Sequence, residues 1–294
     1  MQLTELIAAS AAQLNAANLS FGHGTSNAED EAAWLALWKL GLPLVTEPAD
    51  MTDELSETQV NAVQALVQES IQTRKPAAYL TQEAWLQGVP FYIDERSIVP
   101  RSFIAELLAE GDIDYWLGEH TQRVLDLCTG NGSLAVLAAM TYPDVSVVGA
   151  DLSTDALAVA RINVDKHELA ERISLVQSDG LKNVPGQFDL ILCNPPYVCA
   201  ASMQALPAEF LAEPALALAG GEDGMDFVRQ LFQDAPAHLN ERGVLVLEIG
   251  NEREHFEAAF PKLEVIWLET SAGEDQVLLV TRSSLLNLQA PSKA

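Results

Sequence analysis

The feature that most constrains the fold is a regular alternation of two kinds of segment after about residue 120. Segments with the apolar spacing of helices separate the first five of seven short, strand-like aliphatic runs. Because parallel strands need a crossover connection, this alternation predicts an α/β fold with a seven-stranded, mostly parallel, doubly wound sheet of the Rossmann-like type. The seven runs cover residues 123–128, 145–151, 173–177, 188–193, 243–249, 263–268 and 276–281.

The last two runs are connected differently from the others. Only residues 269–275 separate them, and such a segment is too short for a crossover helix. We therefore expect these two strands to pair antiparallel at the end of the sheet.

Residues 1–82 are predicted to form a small helical domain with three apolar stripes. The second helix follows the acidic run 29–31, and the third has Ser56 as its N-cap with Gln59 three residues later. Pro76 is expected to end the third helix. The stripes consist of Leu3, Leu6, Ile7 and Leu14; of Trp34, Leu35, Leu37, Trp38 and Leu40; and of Val60, Val63, Leu66, Val67 and Ile71.

A change of pattern near residue 83 predicts a linker between two domains. Residues 83–100 alternate like strands around a turn signal at Gly88, which indicates a β-hairpin. A helix with Ser102 as its cap is expected next. The chain is thus divided into a helical domain (1–82), a hairpin linker (83–100) and an α/β domain (101–294).

Composition excludes several classes of protein. No apolar run reaches the ~18 residues that a membrane span needs, and the first residues lack the basic segment of a signal peptide. The three cysteines (128, 193 and 199) are too few and too scattered for a disulfide framework or a zinc site. We expect a protein of the reducing cytoplasm that has no metal and no membrane contact.

The net charge of −26 bears on the partner. Affinity for nucleic acid rests on Lys and Arg that neutralise phosphates, so direct nucleic-acid binding is not expected. An acidic surface attracts basic partners. Salt adaptation or simple surface acidity is an equally good interpretation of this charge.

The first strand of the alternating region ends in a glycine-rich loop. The pattern is Gly130-x-Gly132-x-x-Ala135, and Asp151 ends the second strand. Glycines let the backbone approach a ligand closely, and the distant carboxylate can accept both hydroxyl hydrogens of a ribose. NAD enzymes share this pattern, so it does not by itself identify the cofactor.

Two further carboxylates distinguish the expected cofactor from NAD. Asp126 lies at the mouth of the loop, where it would repel a pyrophosphate but would attract an ammonium group, directly or through water. Asp179, just after the third strand, is placed to accept a hydrogen bond from an adenine amino group. Capping of strand ends is the alternative for these two residues. Together with Asp151 and the glycines, they indicate S-adenosylmethionine.

The fourth strand ends in Asn194-Pro195-Pro196-Tyr197. Two prolines make this a stiff loop with few donors. The Asn194 side-chain oxygen and the Pro195 carbonyl can each accept one hydrogen of a planar –NH2 group, and Tyr197 can pack on its flat face. The alternative is an ordinary turn.

In a doubly wound sheet the fourth strand lies beside the first, so Asn194 is predicted to face the donor methyl group of the cofactor. Acceptance of both amide hydrogens favours the pyramidal geometry that the nitrogen adopts during attack. None of the five histidines falls near either motif.

The segments 126–132 and 194–197 together resemble the protein glutamine methyltransferases, which methylate the side-chain amide of glutamine. The segments 91–102, 213–218 and 221–224 are similar to further parts of that family. One branch acts on peptide release factors and another on the third protein of the large ribosomal subunit. The loop 21–25, the segment 78–85 and the sequence Pro100-Arg101-Ser102 resemble the ribosomal branch.

The resemblance implies roles for individual residues. Asn194, Pro195, Pro196 and Tyr197 would bind the glutamine, and the N-terminal helices would dock a basic ribosomal protein. Gly180 departs from relatives, which often have an aromatic residue there. The cofactor would be bound by Asp126, Cys128, Thr129, Gly130, Asn131, Gly132, Asp151, Leu152, Asp179, Gly180 and Asn194.

Other functions stay open from the sequence. A methyltransferase for release factors or for amino groups of DNA or RNA bases, and a non-catalytic adaptor, are the alternatives. His23 in the loop 21–25 either contacts a partner or belongs to a structural turn, the second being the better interpretation.

Overall fold

The computed structural model describes residues 1–289, and its centre is one seven-stranded sheet. The strands are β3 (Arg123–Leu127), β4 (Ser146–Asp151), β5 (Ile173–Gln177), β6 (Phe188–Cys193), β7 (Leu239–Glu248), β8 (Ile266–Thr270) and β9 (Gly273–Thr281). They lie in the order β5-β4-β3-β6-β7-β9-β8. The first five in this order are parallel, whereas β9 pairs antiparallel with both β7 and β8.

This sheet confirms the predicted fold and the antiparallel end. Five of the seven runs have bounds that differ from those predicted. β3 and β4 differ by one residue, whereas β7, β8 and β9 begin at Leu239, Ile266 and Gly273 rather than at residues 243, 263 and 276. The amide of Leu263 instead closes a turn onto the carbonyl of Phe260, which delays β8.

Helices cover both faces of the sheet because successive strand residues point to opposite sides. Val124 on β3 belongs to one core cluster, and its neighbour Leu125 to the other. The helices of this part are α5 (Ile104–Glu110), α6 (Ser133–Thr141), α7 (Thr154–Lys166), α8 (Ala200–Ala205), α9 (Asp226–His238), α10 (Arg253–Ala259) and α11 (Arg282–Gln289).

The N-terminal region packs four helices around a third core cluster. They are α1 (Leu3–Ala16), α2 (Ala28–Leu40), α3 (Glu57–Thr73) and α4 (Ala77–Thr81). Ser56 and Gln59 form the predicted capping box of α3. The expectation that Pro76 ends α3 was wrong: α3 already ends at Thr73, Arg74 takes the left-handed conformation, and Pro76 is the N-cap of α4.

The predicted hairpin is formed by β1 (Glu83–Leu86) and β2 (Val89–Tyr92), with Gly88 in its turn. The core of the N-terminal helices continues into the hairpin through Ala84 and reaches Val159 of α7. The domain limits at residues 82 and 100 therefore stay a prediction.

Ser102 does not cap α5 as expected, since the cap position is Phe103. The Ser102 hydroxyl still accepts from the amide of Ile104, at 3.3 Å, but it donates to the buried carboxylate of Glu248. Within residues 1–289, no helix is both long and apolar enough to span a bilayer.

Candidate active site

A cavity of about 560 Å³ opens at the carboxyl ends of β3, β4 and β6. Ligands of open α/β sheets bind at this edge, and the volume is that of a typical small-molecule site. Eight of the residues predicted as functional line it: Cys128, Gly130, Asp151, Leu152, Asp179, Gly180, Asn194 and Pro196. The structure thus brings both sequence motifs to one cavity.

The glycine-rich loop is shaped by close packing behind the cavity. Gly132 has φ +82° at the start of α6, and a Cβ there would lie 3.0 Å from the Cβ of Ala160 on α7. Thr129 donates to Asp126 at 2.5 Å, and the Asn131 amide donates to the carbonyl of Ile98 at 2.8 Å. These three loop residues do not line the cavity; they fix the conformation of the loop.

Asp126 also lies behind the loop rather than at the cavity wall. One carboxylate oxygen accepts from Thr129 and from the amide of Ala135, whereas Oδ1 has no hydrogen-bond partner among the described residues. Burial raises the pKa of Asp126 to about 7. An unpartnered, buried carboxylate oxygen is suited to a cofactor that carries an ammonium group. The contact between Asp126 and that group, directly or through water, stays a prediction.

Asp151 ends β4 with both oxygens engaged by the backbone. Oδ2 accepts from the amide of Gly130 at 2.9 Å, and Oδ1 accepts from the amide of Ser153 at 2.8 Å. Each oxygen keeps a lone pair, so the carboxylate that orders the glycine-rich loop can also accept from ribose hydroxyls. Leu152, 46% exposed, provides an apolar surface next to it.

Asp179 and Gly180 lie at the rim of the cavity. Asp179 is exposed and forms an ion pair with Lys182 at 2.5 Å. No heavy atom lies within 4 Å of a Cβ built on Gly180, so this side of the cavity is open. The contact of Asp179 with an adenine amino group stays a prediction.

Ser97 also lines the cavity and was not among the residues predicted to be functional. Its hydroxyl is buried, has no partner in the described part of the chain, and lies 3.2 Å from a Cβ built on Gly130. Such an unpartnered hydroxyl is available to a bound ligand. The similarity of segment 91–102 to the family was the only signal for it. The segment 214–221 completes the wall through Pro214, Leu216, Ala217, Ala219, Gly220 and Gly221.

The loop after β6 presents unused acceptors. Asn194 is half-buried at the cavity, and neither its side chain nor the Pro195 carbonyl has a hydrogen-bond partner within residues 1–289. The loop is held from its other end, where the amide of Val198 donates to Leu218 and its carbonyl accepts from Gly220. The arrangement can bind a group with two hydrogens to donate.

The side chain of Tyr197 lies in an environment different from the one expected. Its ring does not line the cavity, so packing on the flat face of a substrate amide is not supported. The hydroxyl donates to Glu248 at 3.2 Å, and the ring lies against Gly250. The sequence placed Tyr197 in the loop but gave no information on the side to which its ring turns.

A second polar cluster lies beyond this loop. Cys199, Glu252 and His255 bring atoms that could bind a metal within 4.8 Å of one another. Hydrogen bonds already connect them: Glu252 accepts from the amide of Cys199 and contacts His255 Nδ1 at 2.5 Å. In the part of the chain that the structure describes, the three cysteines are free thiols.

Comparisons with known proteins agree with this architecture. Residues 107–222 match the family described as methyltransferase small domain. The catalytic domain of hMettl16, solved with an RNA hairpin, superposes with a TM-score of 0.51 at 13% identity, covering 76% of this chain and 81% of that one. This likeness concerns the fold alone. The fold and the cavity define a Rossmann-like, S-adenosylmethionine-dependent methyltransferase.

Sequence relatives narrow this class to one family. The ribosomal protein uL3 glutamine methyltransferase of Bordetella pertussis is 49% identical over 96% of both chains. That of Burkholderia pseudomallei is 49% identical over 96% of this chain and 94% of its own. The chain belongs to the family of ribosomal protein uL3 glutamine methyltransferases, which confirms the resemblance to the ribosomal branch.

Proposed function

We propose that this protein transfers a methyl group from S-adenosylmethionine to the side-chain amide nitrogen of a glutamine in ribosomal protein uL3. The names of the relatives support this substrate. The observation that carries the proposal is the half-buried side-chain amide of Asn194, which lies at the wall of the cavity beside the glycine-rich loop. This amide has no hydrogen-bond partner among residues 1–289.

The chemistry follows from two acceptors and one cofactor. S-adenosylmethionine supplies an electrophilic methyl group on a sulfonium sulfur. Asn194 Oδ1 and the Pro195 carbonyl each accept one amide hydrogen of the glutamine, which orients the nitrogen and draws charge toward it. The new N–C bond would form as the S–C bond breaks, so that S-adenosylhomocysteine leaves and the methylated nitrogen gives one proton to water. Orientation of the two reactants contributes a rate gain without any acid or base.

Three carboxylates keep their predicted roles in this proposal. Asp151 accepts from the ribose, Asp179 from the adenine amino group, and Asp126 interacts with the ammonium group, directly or through water. Cys128, Gly130, Leu152 and Gly180 contribute cavity surface, whereas Thr129, Asn131 and Gly132 hold the loop in shape.

The N-terminal region is proposed to dock the substrate. A groove of about 730 Å³ lies between α2, the segment after it and the hairpin. Trp34, Trp38 and the 42%-exposed Trp85 give it apolar walls, and Asp30 and Glu83 add acidic groups. Residues 1–82 contain ten acidic and three basic residues. An apolar segment of uL3 flanked by Lys or Arg is complementary to this groove.

The test uses purified protein, S-adenosylmethionine and separately purified uL3, release factor and ribosomal RNA. We expect peptide mass spectrometry to find one methylated glutamine in uL3 and none in the release factor. Ribosomal proteins from a deletion strain should lack the same methyl group. Methylation of the release factor or the RNA, with uL3 unmodified, would contradict the proposal.

A further inference from the structure

Glu248, the last residue of β7, is a buried carboxylate surrounded by three donors. Its Oε2 accepts from the hydroxyl of Ser102 at 2.6 Å and from the amide of Phe103 at 3.0 Å. Its Oε1 accepts from the hydroxyl of Tyr197 at 3.2 Å. The side chain thus joins the start of α5 to the loop that follows β6.

The three donors favour the charged form of Glu248. Burial raises the pKa of Glu248, but Ser102, Tyr197 and Phe103 each counteract it by hydrogen bonding to the charged form. Burial also raises the pKa of Tyr197, so its phenol stays protonated and donates. A carboxylate that accepts three hydrogen bonds has little freedom to turn, because each alternative leaves a buried donor without a partner.

Three glycines pack closely against Tyr197 in the loop that follows β6. A Cβ on Gly220 would lie 2.7 Å from the Cα of Tyr197, and one on Gly250 would lie 2.5 Å from its ring. A Cβ on Gly224 would collide with the Tyr197 carbonyl. The backbone of residues 196 and 197 is therefore closely packed on these sides, with the Tyr197 hydroxyl directed at Glu248.

We propose that Glu248 is a positioning residue for methyl transfer, which acts through the hydroxyl of Tyr197 to fix the direction in which Asn194 and Pro195 present their acceptor oxygens. The proposal rests on the proposed function, in which those two oxygens orient the glutamine amide. Glu248 contacts neither the cavity nor a reacting atom. Its removal would act on the turnover of bound substrate rather than on cofactor affinity.

The experiment compares Glu248→Ala, Tyr197→Phe and the double variant by steady-state kinetics with free uL3. We expect kcat to fall about 10- to 100-fold in each single variant, as for a small misplacement of reacting groups. The dissociation constant of S-adenosylmethionine, measured by calorimetry, should stay within about twofold, because no cofactor contact is lost. The double variant should be no slower than Glu248→Ala, since both changes break one interaction.

Two further variants separate positioning from stability. Glu248→Gln keeps one accepting oxygen and should have a kcat between those of the wild type and Glu248→Ala. Asp189→Asn is the matched control, because Asp189 is also buried and accepts three hydrogen bonds, but at the opposite edge of the sheet. It should lower the melting temperature and leave kcat unchanged.

The outcomes distinguish failure of this inference from failure of the proposed function. Wild-type kcat in Tyr197→Phe and Glu248→Ala, alongside an inactive Asn194→Ala, would overturn the positioning role alone. The positioning role would also be overturned if the fold-loss of kcat in the double variant equalled the product of the two single losses. An equal loss of kcat in Asp189→Asn and Glu248→Ala would overturn it as well. Full activity of Asn194→Ala would contradict the proposed function whatever the result at Glu248. Tyr197→Phe removes one oxygen only, so it tests the inference even if Glu248→Ala does not fold.

Discussion

The guanidinium group of Arg101 donates two hydrogen bonds, of 2.6 and 2.7 Å, to the two carboxylate oxygens of Glu213. The amide of Val99 donates to the same carboxylate at 2.9 Å. His23 Nε2 lies 3.5 Å from it, within ion-pair distance but without a hydrogen-bond partner among the described residues. Glu213 precedes the segment 214–221, which forms one wall of the cavity. Val99, Arg101 and the loop 21–25 thus hold that wall in place, which supports the structural interpretation of His23.

Glu213→Gln should make the protein less stable at neutral pH. Burial by itself would raise the pKa of Glu213, but His23 and Arg101 outweigh it and lower the pKa from 4.5 to about 2. Because the pKa is lower in the folded chain, the stabilisation is complete above about pH 5 and is lost as the pH falls toward 2. Removing one charge of such a buried pair costs about 3 kcal/mol.

Urea unfolding at a series of pH values measures this effect. The difference between wild type and Glu213→Gln should be largest near neutral pH and should shrink below about pH 4.5. A difference that stays constant from pH 7 to the lowest pH at which the protein folds would show that the charge of Glu213 is not involved.

Asn194→Ala should abolish most methyl transfer without loss of the cofactor. The change removes one of two acceptors for the substrate amide, so we expect kcat/KM for uL3 to fall by about 10²- to 10³-fold, as when one transition-state hydrogen bond is lost. Calorimetry should give nearly unchanged affinity for S-adenosylmethionine. Activity close to that of the wild type would exclude Asn194 from the reaction.

Asp151→Asn should weaken the binding of S-adenosylmethionine. An asparagine keeps only one accepting oxygen, so the backbone amide of Gly130 or of Ser153, and a ribose hydroxyl on the same side, lose their acceptor. We expect the dissociation constant to rise about tenfold or more. The control is Asp155→Asn, which changes an exposed carboxylate on the first turn of α7. Equal affinities of the two variants in a calorimetric titration would refute the ribose assignment.

Gly250→Ala and Gly88→Ala form a matched pair. Both glycines have positive φ, +53° and +74°, so both alanines are strained and destabilise the protein by about 1 kcal/mol. Only the Cβ on Gly250 meets the ring of Tyr197, whereas a Cβ on Gly88 has open space. Kinetics should show a lower kcat for Gly250→Ala alone; similar kcat values for both variants would mean that the position of this ring does not affect turnover.

Trp85→Ala should weaken docking of uL3. The indole is 42% exposed in the N-terminal groove, where Glu83 accepts from its Nε1 at 2.7 Å. Loss of an aromatic anchor costs an interface about 2 kcal/mol, so we expect KM for uL3 to rise about 30-fold with kcat unchanged. Tyr115→Ala removes an exposed ring outside the groove and should leave KM as it is. Wild-type KM in Trp85→Ala would place the docking surface elsewhere.

The local sequence pattern was sufficient to predict much of the fold. The runs 173–177 and 188–193 were predicted with the bounds that the structure has. Residues 188–193 are buried throughout, and such a nearly continuous apolar segment between turn residues has few alternatives in a parallel sheet. The adjacency of β3 and β6 followed from the topology of doubly wound sheets. The bounds of β7 and β8 were less accurate, because hydrogen bonds with neighbouring strands, rather than local hydropathy, decide where these strands begin.

The sequence by itself determined the sheet and the presence of both motifs at its carboxyl edge. The tertiary structure alone decided which way the polar side chains turn: Asp126 lies behind the glycine-rich loop, and Tyr197 turns toward Glu248 instead of the cavity. Spacing along a strand or helix sets the backbone path, since its interactions are local and periodic. The partner of a buried polar group depends on donors that packing brings together, such as Ser102 and Glu248, which are 146 residues apart in the chain.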